Sequence, residues 1–120
     1  MFWGQPYCPS CGYTGPDFMW TWHFGRGLHL LLQDQESLAL RVVEVPDDDA
    51  FYPADGQSQE ARVQASDAYV KSVLAREMRP TERRVAAERI RRWEFEDHGQ
   101  MDLSCPGCRA MLSWRGTGIS

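Results

Sequence analysis

The spacing of apolar and polar positions changes several times along this chain, and each change marks a predicted element. Phe18, Trp20, Trp22 and Phe24 alternate with Met19, Thr21 and His23, which is the period of a strand with one aromatic face, read as a core face ahead of a base-stacking one. Gly25 to Gly27 interrupts that alternation. Leu28 to Leu32 and Leu38 to Val45 then read as two strands around a polar turn at Gln33 to Ser37. The leucines leave residues 28–40 open to a helical reading, and the β-branched Val42, Val43 and Val45 favour the hairpin. Pro46 to Gln59 has the punctuation of a loop. From Glu60 to Met78 the spacing is helical, with Val63, Val70, Leu74 and Met78 on one side and Tyr69 and Val73 beside them. Pro80 ends that helix. Thr81 is predicted to N-cap a second one, with Glu82 in its first turn and an apolar stripe of Ala86, Ile90 and Trp93, widened by Val85. His98 and Gly99 read as its C-terminal cap, and the two helices as an antiparallel pair packed on the hairpins.

Composition narrows this to one packed unit. The chain has 120 residues, 42% hydrophobic and 25% charged, enough for a core and too short for two domains. The longest uncharged apolar stretch, Phe18 to Gly25, is far short of the ~20 residues of a membrane span, and the start of the chain has no basic, apolar leader pattern. A cytoplasmic protein without membrane contact is the expectation.

The net charge of −4 conceals an asymmetry. Residues 1–60 carry two basic and nine acidic groups, whereas residues 61–120 carry eleven basic and eight acidic. Arg84, Arg91 and Arg92, with Glu88, are predicted to share one side of the second helix, opposite its apolar stripe. Such a face suits phosphates or an acidic protein partner, and equally a solvated helix surface laced by pairs such as Glu88–Arg92. In the acidic loop, Asp47, Asp48, Asp49 and Asp55 fit no EF-hand spacing, while Phe51 and Tyr52 are candidate docking aromatics. His23, His29 and His98 have no evident partner that would make one of them a catalytic base, so a non-enzymatic protein is expected.

The strongest chemistry lies in the cysteines. All four fall in two equal spacings, Cys8-Pro9-Ser10-Cys11 and Cys105-Pro106-Gly107-Cys108. Two intervening residues let a tight turn aim both sulfurs at one point, and two such turns supply a tetrahedral set of four thiolates. Proline after the first cysteine pre-sets the turn, and Gly12 and Gly107 are placed to take positive φ. Disulfides and a redox dithiol are competing readings; an intracellular chain disfavours the first, and the strand-like residues after each pair disfavour the second. If both pairs hold one ion, the ends close a loop of residues 12–104, at an entropic cost of ~4 kcal/mol that metal affinity exceeds. Exchange of the two pairs between chains, giving a swapped dimer, satisfies the same chemistry.

The pattern resembles the zinc-ribbon or zinc-knuckle superfamily, whose signature is CPxCG followed by a short strand. The first pair, CPSCGY, matches throughout; the second, CPGCRA, carries Arg109 in place of glycine. The resemblance implies Zn2+ on Cys8, Cys11, Cys105 and Cys108 in a structural role. Iron is the alternative, since the knuckles of rubredoxin look similar, including a CGY after the first pair. The fold expected is α+β in a single domain, 1–120. Zinc-ribbon-like hairpins from both chain ends (1–24 and 100–120) clasp an insertion (25–99) that contains a β-hairpin, the acidic loop and two helices. By analogy with zinc ribbons, the function expected is an adaptor for a protein of the transcription or translation machinery. Two alternatives are a nucleic-acid-binding protein that uses the arginine face, with Trp20 and Trp22 as stacking groups, and a rubredoxin-like electron carrier.

Overall fold

The computed structural model describes residues 2–20, 28–45 and 58–119. The predicted aromatic positions Trp22 and Phe24 and the loop aromatics Phe51 and Tyr52 lie outside these residues. In chain order the elements are β1 (Phe2–Tyr7), β2 (Phe18–Met19), β3 (Leu28–Asp34), β4 (Leu40–Val45), α1 (Gln59–Glu77), β5 (Glu82–Arg84), α2 (Ala87–Phe95), β6 (Gln100–Ser104) and β7 (Met111–Ile119). The architecture is α+β, built from two antiparallel sheets ordered β2-β1-β7-β6 and β4-β3-β5. Among the described residues, no helix is long and apolar enough to cross a membrane.

The pairing of β1 with β7 organises the first sheet. It runs from Phe2 opposite Ile119 to Tyr7 opposite Ser113, so the last residue of one strand lies beside the start of the other. Alternate residues of these strands turn inward: Gly4 and Pro6 on β1, Leu112 and Trp114 on β7, Met101 and Leu103 on β6. They meet Ile90 and Trp93 of α2 in one core, together with Phe18, Trp20 and Leu31. Trp93 is fully buried and its indole N–H donates to Asp102 at 2.9 Å, while Asp102 also pairs with Arg89 at 2.8 Å.

The hairpin predicted over residues 28–45 is present, closed by the Asp34 carboxylate, which accepts the N–H groups of Glu36 and Ser37. One of its faces carries Leu30, Leu32, Val43 and Val45, and α1 covers it with Val70 and Val73. Ser58 caps α1, its hydroxyl accepting the Ala61 N–H at 3.1 Å. The helix ends before Pro80, as the sequence predicts.

Three expectations are corrected. Residues 82–84 form a strand and not a first helical turn: β5 pairs with β3, Arg84 opposite Leu32 and Glu82 opposite Asp34. Thr81 caps nothing, because its hydroxyl donates to Asp34 Oδ2 at 2.6 Å. Glu82 is buried, and its carboxylate accepts from the Arg41 guanidinium at 2.6 and 3.0 Å and from the Arg79 N–H at 2.9 Å. A residue held this way serves the sheet edge, and α2 begins later, at Ala87. Second, the strand at Phe18 is only two residues long, and Phe18, Met19 and Trp20 are all buried, without the predicted alternation. Third, the main contacts of α1 are with β4 and those of α2 are with β7, so the helices rest on different sheets instead of on each other. The expected cap after α2 is present: the Gly99 N–H returns to the Trp93 carbonyl at 2.7 Å, and Gly99 is left-handed at φ 85°, as is His98 at 51°.

Candidate metal centre

Each cysteine pair occupies a tight turn at a strand end. In the first, the Cys8 N–H donates to the Tyr13 carbonyl at 2.8 Å and the Gly12 N–H to the Cys8 carbonyl at 3.0 Å. In the second, the Cys105 N–H donates to the Ala110 carbonyl at 2.7 Å and the Arg109 N–H to the Cys105 carbonyl at 2.9 Å. The two turns share one backbone pattern. The position after the second cysteine is left-handed in both, at Gly12 with φ 82° and at Arg109 with φ 66°. Gly107, expected to supply positive φ in the second turn, does not. Its N–H donates to Cys105 Sγ at 3.2 Å, and a Cβ on it would lie 3.5 Å from Cys11 Sγ and 3.6 Å from Cys105 Sγ.

Because β1 leads into the first turn and β7 leaves the second, their antiparallel pairing sets the two turns side by side. The four sulfurs all lie within 4.8 Å of one another; Cys8 Sγ is 3.5 Å from Cys108 Sγ and Cys11 Sγ is 3.6 Å from Cys105 Sγ. Four sulfurs about 2.3 Å from a tetrahedral ion stand about 3.8 Å apart, so this set fits a single ion of that kind. A disulfide needs about 2 Å, and all four cysteines are free. Neither CxxC opens a helix, which removes the structural context of a redox dithiol.

The electrostatics call for a cation. The Cys8 thiol is lowered to about 7, foremost by the Cys11 N–H, with the Ser10 N–H and Cys108 thiol assisting against burial. At Cys11 the Tyr13 N–H favours the thiolate, yet burial and the three neighbouring sulfurs outweigh it and push the thiol up to about 12. Cys108 is also raised: the Ala110 N–H favours its thiolate, and the Cys8 sulfur and burial oppose it more strongly. Without an ion, the Cys8 thiolate is favoured while the Cys11 and Cys108 thiols are held protonated. A divalent ion lets all four ionise together. Each pair contributes one buried sulfur, Cys8 or Cys105, that belongs to the core, and one exposed sulfur, Cys11 or Cys108. The N–H donors at Tyr13 and Ala110, two positions after each second cysteine, are the site residues that sequence reasoning left unnamed; the shared spacing of the two turns was their only signal.

The arginine face is not assembled as expected. Arg84 lies on β5, where it lines a groove with Leu28, Asp67 and Lys71. Arg91 and Arg92 lie on α2 and line a separate hollow with Glu88, Arg89 and Glu96. Arg92 pairs with Asp97 at 3.3 Å, in place of the predicted partner Glu88. Trp20 is 8% exposed and stacked on Phe2 at 5.6 Å between ring centroids, so it presents no face for a nucleic-acid base.

No protein-family model, curated protein or solved structure matches this chain.

Proposed function

We propose that this chain is a non-enzymatic adaptor of the zinc-ribbon type. In this reading one Zn2+ on Cys8, Cys11, Cys105 and Cys108 secures the ends of the fold, and the outer surface engages a protein partner, by analogy one of the transcription or translation machinery. The observation that carries it is the gathering of four free sulfurs within 4.8 Å, on turns whose N–H groups are directed at them. Four thiolates complete a tetrahedral shell and leave no open position at which a substrate or water would be activated, which supports a structural role. For the partner, support is limited to surface charge: Arg91 on α2 is exposed, with Arg89 and Arg92 beside it.

Two measurements test this. Elemental analysis of the purified protein should find close to one zinc per chain, lost on joint Cys11→Ser and Cys108→Ser substitution. Capture of a partner from the native host should be abolished by Arg91→Glu with Arg92→Glu while the circular dichroism spectrum is unchanged. Absence of metal in freshly purified protein would sink the reading, and unchanged capture would remove the α2 face from it.

An iron–thiolate electron carrier is the second reading, favoured by the exposure of Cys11 and Cys108, which leaves an electron only a short path to solvent. A red preparation, bleached by reductant, would establish it; a colourless zinc protein expressed with iron available would exclude it.

A further inference from the structure

The arrangement of sulfurs that suits an ion also suits a covalent change. Cys11 and Cys108 are exposed, whereas Cys8 and Cys105 belong to the core. Each exposed sulfur lies against the buried sulfur of the other turn: Cys11 Sγ is 3.6 Å from Cys105 Sγ, and Cys108 Sγ is 3.5 Å from Cys8 Sγ. These contacts join residues 94 and 100 positions apart, so both run from one cysteine turn to the other. A closing movement of about 1.5 Å brings either pair to bonding distance.

Gly107 sits beside the first of these pairs. It is exposed, and a Cβ on it would be in van der Waals contact with both Cys11 Sγ and Cys105 Sγ. Its φ is not left-handed, so the backbone does not require glycine at this position. What the missing side chain supplies is access, a path from solvent to two neighbouring sulfurs. A ligated cysteine is held as the thiolate, the form that peroxides oxidise, and reactivity follows thiolate character and exposure. Cys11 meets both conditions and has a second sulfur within reach. A crosslink from Cys11 to Cys105 also closes a loop of more than 90 residues. It restricts the unfolded chain far more than one inside a CxxC turn, which favours it when thiols and disulfides exchange.

We propose that the Cys11–Cys105 pair beside Gly107 is a modification site for hydrogen peroxide, at which oxidation exchanges the metal clasp for a covalent one. The inference rests on the metal-site reading above. Cys11 Sγ attacks the O–O bond, becomes a sulfenic acid and releases hydroxide. Cys105 Sγ then attacks the Cys11 sulfur, forms the S–S bond and displaces a second hydroxide. The two thiolates lose two electrons, the peroxide gains them, and two protons from solvent turn the hydroxides into water. The shell loses two of its thiolates and zinc is released, while the two cysteine turns stay joined. Cys8 and Cys108 remain close enough to consume a second equivalent of peroxide.

The test starts from freshly purified full-length protein of measured zinc content. It is treated with one equivalent of hydrogen peroxide, alkylated, and mapped without reduction by tandem mass spectrometry. The peptides that contain Cys11 and Cys105 should be joined through those residues, with zinc released to a chromogenic chelator in step with the crosslink. Dithiothreitol with added zinc should restore the starting state. Gly107→Val should slow crosslinking about tenfold at unchanged zinc content and circular dichroism, by covering the exposed sulfur. Should valine displace the turn, Gly107→Ala slows it in the same direction by a smaller factor. Disulfides confined to Cys8–Cys11 or Cys105–Cys108, a first crosslink at Cys8–Cys108, sulfinic acid without a crosslink, or a rate indifferent to both Gly107 substitutions would overturn the proposal. A starting protein without zinc would sink the metal reading, and the crosslink map of that same sample would still decide this one.

Discussion

Arg109 stands in the second cysteine turn where Gly12 stands in the first, and both are left-handed, with φ of 66° and 82°. Only glycine takes that conformation without a Cβ penalty, so the second turn carries strain that the first does not. Arg109→Gly should raise stability by about 0.5–1 kcal/mol, the relief of Cβ strain less the added freedom of glycine in the unfolded chain. Denaturant unfolding at saturating metal reads it. Gly12→Ala should do the reverse, by about 1 kcal/mol.

Metal removal should loosen the first sheet from the end that carries the turns. Ligand linkage stabilises by about 4 kcal/mol at a thousandfold excess over Kd, so a strong chelator should lower the melting temperature by many degrees. Hydrogen exchange should locate the loss of protection first at Tyr7 and Ser113, next to the turns, and last in β3 and β4, one face of which packs on α1. Uniform loss across both sheets would show that the ion supports the whole fold.

Asp34 is held down to about 2 by the Thr81 hydroxyl, followed by the Ser37 and Glu36 N–H groups. Its folded value lies below the ordinary 3.8, so the network contributes fully above about pH 4 and is lost as pH falls toward 2. The stability difference between the parent and Asp34→Asn should therefore shrink over that window. Comparing the two proteins cancels the acid release of metal common to both.

Glu82 is nearly buried and bonded to Arg41, with side-chain exposures of 3% and 28%. The Arg41 guanidinium, before the Arg79 N–H, keeps its carboxyl below the usual carboxylate range. Glu82→Ala should cost about 3 kcal/mol, since it leaves the Arg41 guanidinium with only the Glu77 carbonyl and the Arg79 N–H without its acceptor. Thermal unfolding measures the cost; a loss below about 1 kcal/mol would show that the pair adds nothing beyond a surface contact.

Gly4 tolerates no side chain. A Cβ there would fall within the ring of Trp114, which is buried and anchored by its indole N–H on Glu94 at 2.6 Å. Gly4→Ala should cost about 3 kcal/mol or prevent folding, and far more than Gly118→Ala, which meets open space.

Local pattern reached some elements and missed others for identifiable reasons. The hairpin over residues 28–45 was legible because β-branched residues flank a turn that Asp34 closes with its own side chain. Helix α1 was legible from its apolar spacing, its stop before Pro80 and its length. The strand β5 was not: Glu-Arg-Arg after Pro-Thr has the composition of a helix start, and its extended state depends on β3 and on Arg41, residues about 40 to 50 positions away. Burial of Trp20 agrees with reading the aromatic stripe as a core face, but the alternation did not show that Met19 is buried as well.

By itself the amino-acid sequence determined the four candidate ligands and the form of their turns, because both depend on contacts within six residues, Cys8 to Tyr13 and Cys105 to Ala110. That the two turns meet was decided by tertiary structure. It requires β1 and β7 to pair across a separation of about 100 residues, and such pairing is selected by the shapes that meet, Gly4 beneath Trp114 among them, which no local window contains.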